Sequence, residues 1–240
     1  MSATAEKGAC LICNSKLVYK TAAYEAKCSG CGKILLTNCE CEQGHYICDE
    51  CHSSKSLPVI YYYCSNSKKQ DPFSIACEIM DNPAIHMHGP ENHVLIGSAL
   101  LAAFYNCGGS INLTDSLGIM RQRGSQLPGS ICGLWGNCGA GVSAGIFMSI
   151  ITQSTPMSTE SWGLCNLMTS ECLKSIARPG GPRCCKRNGF LAIQTAVSFI
   201  AEHLNIKMEL AENMECHYSQ RNTECLKDRC PFFCAESGDL

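Results

Sequence analysis

Apolar residues recur with helical spacing along most of the chain from residue 66 onward. A repeat of apolar positions every three or four residues predicts an α-helix, and Pro and Gly between such stretches mark helix ends. The predicted helices are 71–80, 94–105, 113–122, 138–153, 159–177 and 188–204. Almost no alternating, strand-like pattern interrupts them. The pattern therefore predicts a mainly α fold, with an orthogonal helical domain over residues 66–240.

The first 65 residues differ, because they contain little that can form a conventional apolar core. Two short segments, 16–20 and 34–37, have the composition of β-strands. Eight cysteines lie within the first 51 residues. Bound metal ions can supply the stability that a core otherwise provides in a small module. We therefore predict a zinc-binding β/loop module, of zinc-ribbon or RING-like type, over residues 1–65.

Cysteine is the most unusual part of the composition, with 21 residues among 240. The polar start of the chain lacks the basic flank and apolar core of a signal peptide, and no run of about 18 apolar residues could cross a bilayer. These features indicate a cytoplasmic protein without a membrane span. Thiols in a reducing compartment bind metals more often than they form disulfides, and an odd number leaves one unpaired. We therefore expect metal ligation.

Spacing arranges the N-terminal ligands in pairs, since two residues between cysteines let one turn direct both sulfurs at a single ion. The predicted ligands of two zinc ions are Cys10, Cys13, Cys28, Cys31, Cys39, His45, Cys48 and Cys51. The pairs can bind zinc sequentially, or in a RING-like cross-brace in which alternate pairs share an ion. Cys41 and His52 remain as spares, or as substitutes for Cys39 and His45.

A second set of cysteines lies near the C-terminal end of the chain. Cys230 directly precedes Pro231, and a cysteine in this position is a common last ligand of iron–sulfur clusters because proline fixes the turn. Cys216, Cys225 and Cys230 supply three thiols, and a cluster needs a fourth ligand. The adjacent pair Cys184 and Cys185 can provide it, and Cys234 is a nearby alternative. The predicted ligands of a 4Fe-4S cluster are Cys185, Cys216, Cys225 and Cys230. A third zinc ion, or buried thiols without a metal, are the alternatives.

The segment 132–141 combines two cysteines with several glycines at the start of a predicted helix. Unpaired backbone N–H groups and the helix dipole favour a thiolate at such a start. We predict Cys138 as a nucleophilic thiol and Cys132 as its resolving partner or a metal ligand. Arg123, in the polar stretch before it, is predicted to orient an anionic substrate. Alternatively, these small residues only allow close helix packing.

Two further loops contain candidate functional side chains. Residues 86–93 (HMHGPENH) place three imidazoles and a carboxylate before a helix. They can bind an open catalytic metal ion, or serve only as a helix cap and exposed surface. Residues 183–187 (RCCKR) place three cations and two thiols at a helix start. Cations are unfavourable there, so we expect a nearby anion such as a metal–thiolate site.

Five motifs connect these features: 39–52 (CECEQGHYICDECH), 88–93 (HGPENH), 123–141 (RGSQLPGSICGLWGNCGAG), 180–188 (GGPRCCKRN) and 221–233 (RNTECLKDRCPFF). Together they resemble a cysteine-rich family of unknown function, found mostly in methanogenic archaea and anaerobic bacteria. The resemblance covers nearly the whole chain and implies no established reaction. Some relatives carry this domain beside a methyltransferase-like domain, but this chain has no glycine-rich strand–turn–helix for S-adenosylmethionine.

Charge and ligand types limit the functional classes. Nineteen basic and 21 acidic residues give a formal charge of -2, which argues against a nucleic-acid binder held by bulk electrostatics. The first hypothesis is a metalloprotein of anaerobic metabolism that performs redox or sulfur-transfer chemistry. Its zinc module, whose four-ligand sites leave no open position, would dock a protein partner. The alternative is a non-enzymatic zinc-binding adaptor or metallochaperone.

Overall fold

The computed structural model describes residues 10–234, and this part of the chain contains nine α-helices and one two-stranded sheet. The fold is mainly α, as the apolar pattern predicts. Residues 1–9, on which the argument about a signal peptide rests, lie outside the described residues, as do 235–240. Between residues 10 and 234, no helix has the length and apolar character that a membrane span requires.

A β-hairpin forms most of the N-terminal part. Strand β1 spans Leu17–Lys27 and pairs antiparallel with β2, Ile34–Cys41, with an irregular register within β1. Helix α1, Asp49–Ser53, follows the hairpin, and we call residues 10–55 the hairpin module. Ile34 and Leu36 are 65% and 71% exposed. The hairpin therefore has little apolar core of its own, and its stability must come from other interactions.

Eight further helices follow the hairpin module. They are α2 Ser56–Asn66, α3 Pro72–Met80, α4 Asn92–Asn106, α5 Leu113–Gly124, α6 Ile131–Leu134, α7 Gly139–Ile151, α8 Glu160–Ala177 and α9 Cys185–Leu204. Six of these correspond to the helices predicted from the apolar repeat. Asp71 is the N-cap of α3, and its carboxylate accepts a hydrogen bond from the Phe73 N–H at 2.9 Å. Helices α2 and α6 have no predicted counterpart.

Helix α4 lies at the centre of the helical part. It packs against α2, α3, α5, α7 and α9, and all its residues from Asn92 to Phe104 are buried. Gly97 allows α4 and α7 to approach closely: its N–H donates to Ser143 Oγ at 2.9 Å. A Cβ at this position would collide with the side chain of Met120. The glycine therefore leaves room for the Met120 side chain of α5 beside the contact between α4 and α7.

The C-terminal segment 205–234 is mostly irregular and lies across α3 and α9. The Cys216 N–H donates to the Phe232 carbonyl at 2.7 Å, and the Tyr218 hydroxyl donates to Asp81 Oδ1 at 2.9 Å. The Phe232 ring packs edge-on against Phe190 of α9, with ring centroids 5.5 Å apart. These contacts hold the C-terminal cysteines near the start of α9.

Substitution Phe190→Ala is expected to lower the free energy of unfolding by about 3–5 kcal/mol, the usual cost of removing a large buried ring. Phe190 is fully buried and contacts the rings of Phe73 and Phe232. Urea denaturation followed by circular dichroism measures the change. In the control Leu167→Ala, which alters a side chain that is 41% exposed, the change should be about 0.5 kcal/mol. Equal losses in both variants would contradict this packing.

Candidate functional site

The first group of potential metal ligands joins the start of the hairpin module to its second strand. Its members are Cys10, Cys13, Cys41 and His45, whose ligand atoms all lie within 4.8 Å of one another. Cys13 Sγ lies 3.5 Å from Cys10 Sγ, 3.7 Å from Cys41 Sγ and 3.3 Å from His45 Nδ1. Tetrahedral zinc requires ligand separations of roughly 3.3–3.8 Å. The four atoms therefore fit one tetrahedral ion, and we call this group site A.

The second group, site B, joins the tip of the hairpin to α1. Its members are Cys28, Cys31, Cys48 and Cys51. The sulfurs of Cys31 and Cys48 lie 3.8 Å apart, the separation that Zn–S bonds of about 2.3 Å produce. Burial opposes ionisation of Cys28, but N–H donors of Cys48, Cys31 and Gly30 outweigh it and lower the pKa of the thiol to about 6. Site B can thus present a thiolate to a metal ion at neutral pH.

The turns that hold the first two cysteine pairs have the same local conformation. Asn14 and Gly32, each directly after the second cysteine of its pair, have φ angles of 58° and 75°. Each donates its N–H to the carbonyl of the first cysteine, Cys10 or Cys28, at 2.9 Å. Asparagine and glycine tolerate this left-handed conformation best. The Cys-x2-Cys spacing therefore produces turns that direct both sulfurs to one point.

The two sites interleave along the chain, in the arrangement of a cross-brace. Seven of the eight predicted ligands lie in sites A and B, whereas Cys39 lies in neither, and Cys41 stands in its place. The hairpin register explains the difference: Cys41 pairs with Leu17, next to the first turn, whereas Cys39 pairs with Tyr19. Two residues along a strand correspond to about 7 Å, which places Cys39 beyond the reach of site A.

A cavity of about 350 Å³ lies between the hairpin module and the helical part. Residues from several of the motifs singled out in the sequence line it. They include Tyr19, Cys39, His52, His88, Cys132, Arg183 and Cys185. Segments that are up to about 165 residues apart in sequence therefore converge on one space. We call this space the junction pocket.

Arg183 is the one Lys or Arg side chain among the described residues that line the junction pocket. Its guanidinium lies 5.5 Å from the centroid of the Tyr19 ring, and its Nε lies 3.5 Å from Glu224 Oε2. Burial opposes the charge, but the acidic groups of Tyr19, Cys185 and Glu224 outweigh it and raise the pKa of Arg183. The pocket therefore contains one fixed positive charge, which Glu224 partly balances, and the carboxylates of Glu40 and Asp49 also line it.

Two thiols of the helical part line the pocket beside Arg183. Burial raises the pKa of Cys132, and the neighbouring Cys138 raises it further. Burial also raises the pKa of Cys185 to about 12, although the Gly89 N–H donates to this thiol. Both thiols are therefore protonated at neutral pH unless a bound group stabilises the thiolate.

The other two residues of the predicted thiol site lie outside the pocket lining. Cys138 is the N-cap of α7, and its sulfur accepts a hydrogen bond from Asn188 Nδ2 at 3.3 Å. Arg123 lies in the last turn of α5 and donates to Ser149 Oγ at 3.0 Å. The guanidinium of Arg123 is directed at α7, and Arg183 is the cation that lines the pocket.

The C-terminal cysteines converge on the start of α9, with Cys184 in place of the predicted Cys185. We call Cys184, Cys216, Cys225 and Cys230 the C-terminal thiol group. Burial, together with the charges of the other three thiols, raises the pKa of Cys216 to about 11. Cys184, the N-cap of α9, accepts hydrogen bonds from the Arg187 N–H at 3.4 Å and Asn222 Nδ2 at 3.5 Å. Cys185 is the first residue of α9, and the turn of the helix directs its side chain away from the thiol group and toward the junction pocket.

Two buried cations adjoin the C-terminal thiol group. Lys186 and Arg187 are 1% and 2% exposed. Lys186 Nζ donates to the His86 carbonyl at 2.8 Å, and the Arg187 guanidinium donates to the carbonyls of Gly180 and Pro182. Within residues 10–234, neither forms an ion pair with a carboxylate. Since buried charges require compensation, thiolates of this group can provide it, together with Cys185 and the Glu91 carboxylate for Lys186.

The histidines of the loop 86–93 have separate environments. His88 Nε2 lies 3.2 Å from Asn222 Oδ1, and burial lowers the pKa of His88 to about 4. His93 Nδ1 donates to the Leu127 carbonyl at 3.1 Å, and burial lowers the pKa of His93. Both imidazoles are therefore neutral at physiological pH. Both histidines line the pocket, and His93 in addition packs against the start of α7.

The third histidine of this loop forms a group that crosses the junction between the two parts. His86, Glu91 and His52 place one ligand atom each within 4.8 Å of one another. His52 comes from α1, directly after a ligand of site B, and sequence spacing suggested it only as a spare zinc ligand. Its proximity to Glu91 depends on how the hairpin module packs on the helical part, which no local motif encodes.

These features define a helical, cysteine-rich class of protein with Cys and His groups that can bind metal ions. The chain belongs to a family of unknown function (DUF5714), whose family model matches residues 60–233. The match begins after the hairpin module, so the motif at 39–52 lies outside the matched part. No curated protein and no solved structure matches the chain.

Proposed function

We propose that this protein is a cytoplasmic metalloprotein of anaerobic metabolism that performs redox or sulfur-transfer chemistry. Sites A and B bind zinc, the C-terminal thiol group binds a 4Fe-4S cluster, and the junction pocket binds an anionic substrate. One observation carries the proposal: consecutive residues, Cys184 and Cys185, face the thiol group and the pocket. A redox group bound at the first residue is therefore adjacent to a thiol at the second.

The C-terminal sulfurs are less closely grouped than the ligands of sites A and B, which supports a cluster over a single zinc ion. In sites A and B the sulfurs lie 3.5–3.8 Å apart, as one tetrahedral zinc ion requires. Within the described residues, no three thiols of the C-terminal group lie within 4.8 Å of one another. A 4Fe-4S cluster binds each cysteine through a different iron atom and so needs wider spacing. Its negative charge would also balance Lys186 and Arg187.

The pocket residues support binding of a small anion next to reducible groups. Arg183 supplies a positive charge, and the neutral His88 and the Tyr19 hydroxyl supply hydrogen-bond partners. A cluster, when bound, would supply or accept single electrons. The hairpin module excludes water from one side of this space, which strengthens electrostatic contacts to a bound anion.

An adaptor or metallochaperone role is the second candidate, and the surface of the hairpin favours it. Ile34 and Leu36 are largely exposed on β2, and Trp135, on the helical part, is 67% exposed. Exposed apolar side chains of this kind often mark protein interfaces. The closed ligand sets of sites A and B are structural in type. In both candidates we propose that the hairpin module docks a protein partner.

Anaerobic purification tests the redox proposal. We expect iron and acid-labile sulfide at about four of each per chain, as one 4Fe-4S cluster requires, together with zinc. The visible charge-transfer absorption of an iron–sulfur cluster should disappear when the protein is exposed to air and chelator. Zinc alone, without sulfide, would contradict the redox proposal and favour the adaptor.

Alkylation mapping of the folded, reduced protein separates the two candidates. We expect iodoacetamide to modify Cys132 or Cys138 faster than the fully buried Cys64 and Cys172 by roughly tenfold or more, because reaction requires access to the thiol. Mass spectrometry of timed samples gives the rates. Uniform protection of the helical-part thiols would support the adaptor, because a reactive thiol must be accessible to a small reagent.

A further inference from the structure

His52, His86 and Glu91 form a compact group at the junction, apart from the thiol sites. His52 Nδ1 lies 3.0 Å from Glu91 Oε2, and His86 Nδ1 lies 3.1 Å from Glu91 Oε1. The imidazole rings of the two histidines pack edge-on, with centroids 4.3 Å apart. Ligand bonds of about 2.0–2.1 Å in a tetrahedron separate N and O ligands by roughly 3.3 Å. The three side chains are therefore close to the arrangement that one ion requires.

The charge of Glu91 also indicates a cation. Its carboxylate is fully buried and accepts one backbone hydrogen bond, from the His86 N–H at 3.1 Å. Among residues 10–234 its ion-pair partners are the two histidines, without a Lys or Arg. The nearby Lys186 donates instead to the His86 carbonyl and to Asn92 Oδ1. A buried carboxylate is costly unless a cation or several donors compensate it. A divalent ion between the carboxylate and two neutral imidazoles would do so.

Gly89 keeps this space open. A Cβ at residue 89 would collide with the Glu91 carboxylate and the His52 ring, so this position accepts only glycine if the group is to stay assembled. Gly89 and His52 also line the junction pocket. Among the described residues that line the pocket, His52 is the one member of the group, so the group adjoins the pocket on the His52 side.

We propose that His52, His86 and Glu91 bind a divalent transition-metal ion, with an open coordination position toward the junction pocket. Two histidines and one carboxylate are the ligands of open zinc and ferrous sites, which keep a position for water or substrate. Such an ion would face the same anion that Arg183 attracts. It would also join the hairpin module to the helical part, because His52 belongs to the first and the other two ligands to the second.

Zinc counting on the full chain tests the site without reference to redox chemistry. After equilibration with Zn²⁺ buffer, we expect Glu91→Gln and His86→Gln to bind one zinc ion fewer per chain than the wild type. His203→Gln is the control, since His203 lies near the end of α9 and contacts Phe199, and it should bind as many ions as the wild type. Equal zinc in all four proteins would overturn the proposal and leave a hydrogen-bonded group only.

A second measurement uses the wild type and so does not depend on how the variants fold. Co²⁺ added to protein that holds two zinc ions per chain, in the tighter thiolate sites A and B, should give weak ligand-field bands without thiolate-to-cobalt charge transfer, because the proposed ligands contain no sulfur. Charge-transfer bands alone, or no bands, would overturn the site. Loss of the iron–sulfur proposal would leave the zinc difference between the variants unchanged, since any zinc at the C-terminal thiol group would be equal in all four proteins.

Discussion

Cys41→Ser is expected to release one zinc ion from the hairpin module and to unfold its N-terminal half, whereas Cys39→Ser retains both ions. Cys41 Sγ lies 3.7 Å from Cys13 Sγ and 3.5 Å from His45 Nδ1, so it completes site A. Structural zinc contributes about 10–16 kcal/mol of apparent binding energy in small modules. The exposed strands of the hairpin have no apolar core that could replace a contribution of this size.

The two substitutions are matched, because they change the same atom in the same strand two residues apart. Zinc per chain after exhaustive dialysis gives the stoichiometry, and limited proteolysis between residues 10 and 45 reports unfolding. If Cys39→Ser loses zinc and Cys41→Ser does not, the ligand set predicted from spacing is correct and the hairpin register is not. The two outcomes differ by one whole ion, so modest differences in folding cannot obscure them.

The helices that could be predicted from the sequence are those with long apolar repeats and clear end signals. Helix α3 is an example, since Asp71 and Pro72 are typical of a helix start. Helix α2 could not be predicted in this way, because it contains Pro58 and three consecutive tyrosines, which favour strands or turns. Ile60 and Cys64 are nevertheless buried in the helical core. Tertiary packing overrides the local preference there.

The ligand pairs of the candidate sites could be predicted where one turn holds both residues, as for Cys28 and Cys31. The choice between Cys39 and Cys41 could not, because side chains two residues apart in a strand point to the same face. Only the pairing of β1 with β2 decides it. The proximity of His52 to Glu91, 39 residues away, likewise follows from packing of the hairpin module on the helices.

Sequence alone likewise could not decide between Cys184 and Cys185 as the fourth cluster ligand. The geometry favours Cys184, which leads to a second prediction with a large expected effect. Cys184→Ser should abolish the iron–sulfur cluster, whereas Cys185→Ser should retain it. Cys184 lies beside Cys216 and Cys230, whereas Cys185 faces the pocket. Serine is a favoured N-cap residue, so its hydroxyl can replace the sulfur as acceptor for the Arg187 N–H. The first variant therefore removes a ligand without removing the cap of α9.

Anaerobic reconstitution with iron and sulfide, followed by sulfide analysis and visible absorption, measures the difference. Loss of the cluster in Cys185→Ser alone would make Cys185 the ligand and contradict the geometry at the start of α9. The wild type should also lose thermal stability when its cluster is removed, because Lys186 and Arg187 would then lie buried beside neutral thiols. Cys184→Ser should reproduce that lower melting temperature, whereas Cys185→Ser should match the cluster-bound wild type. Buried cations thus make the stability of the helical part depend on the anion that the thiol group binds.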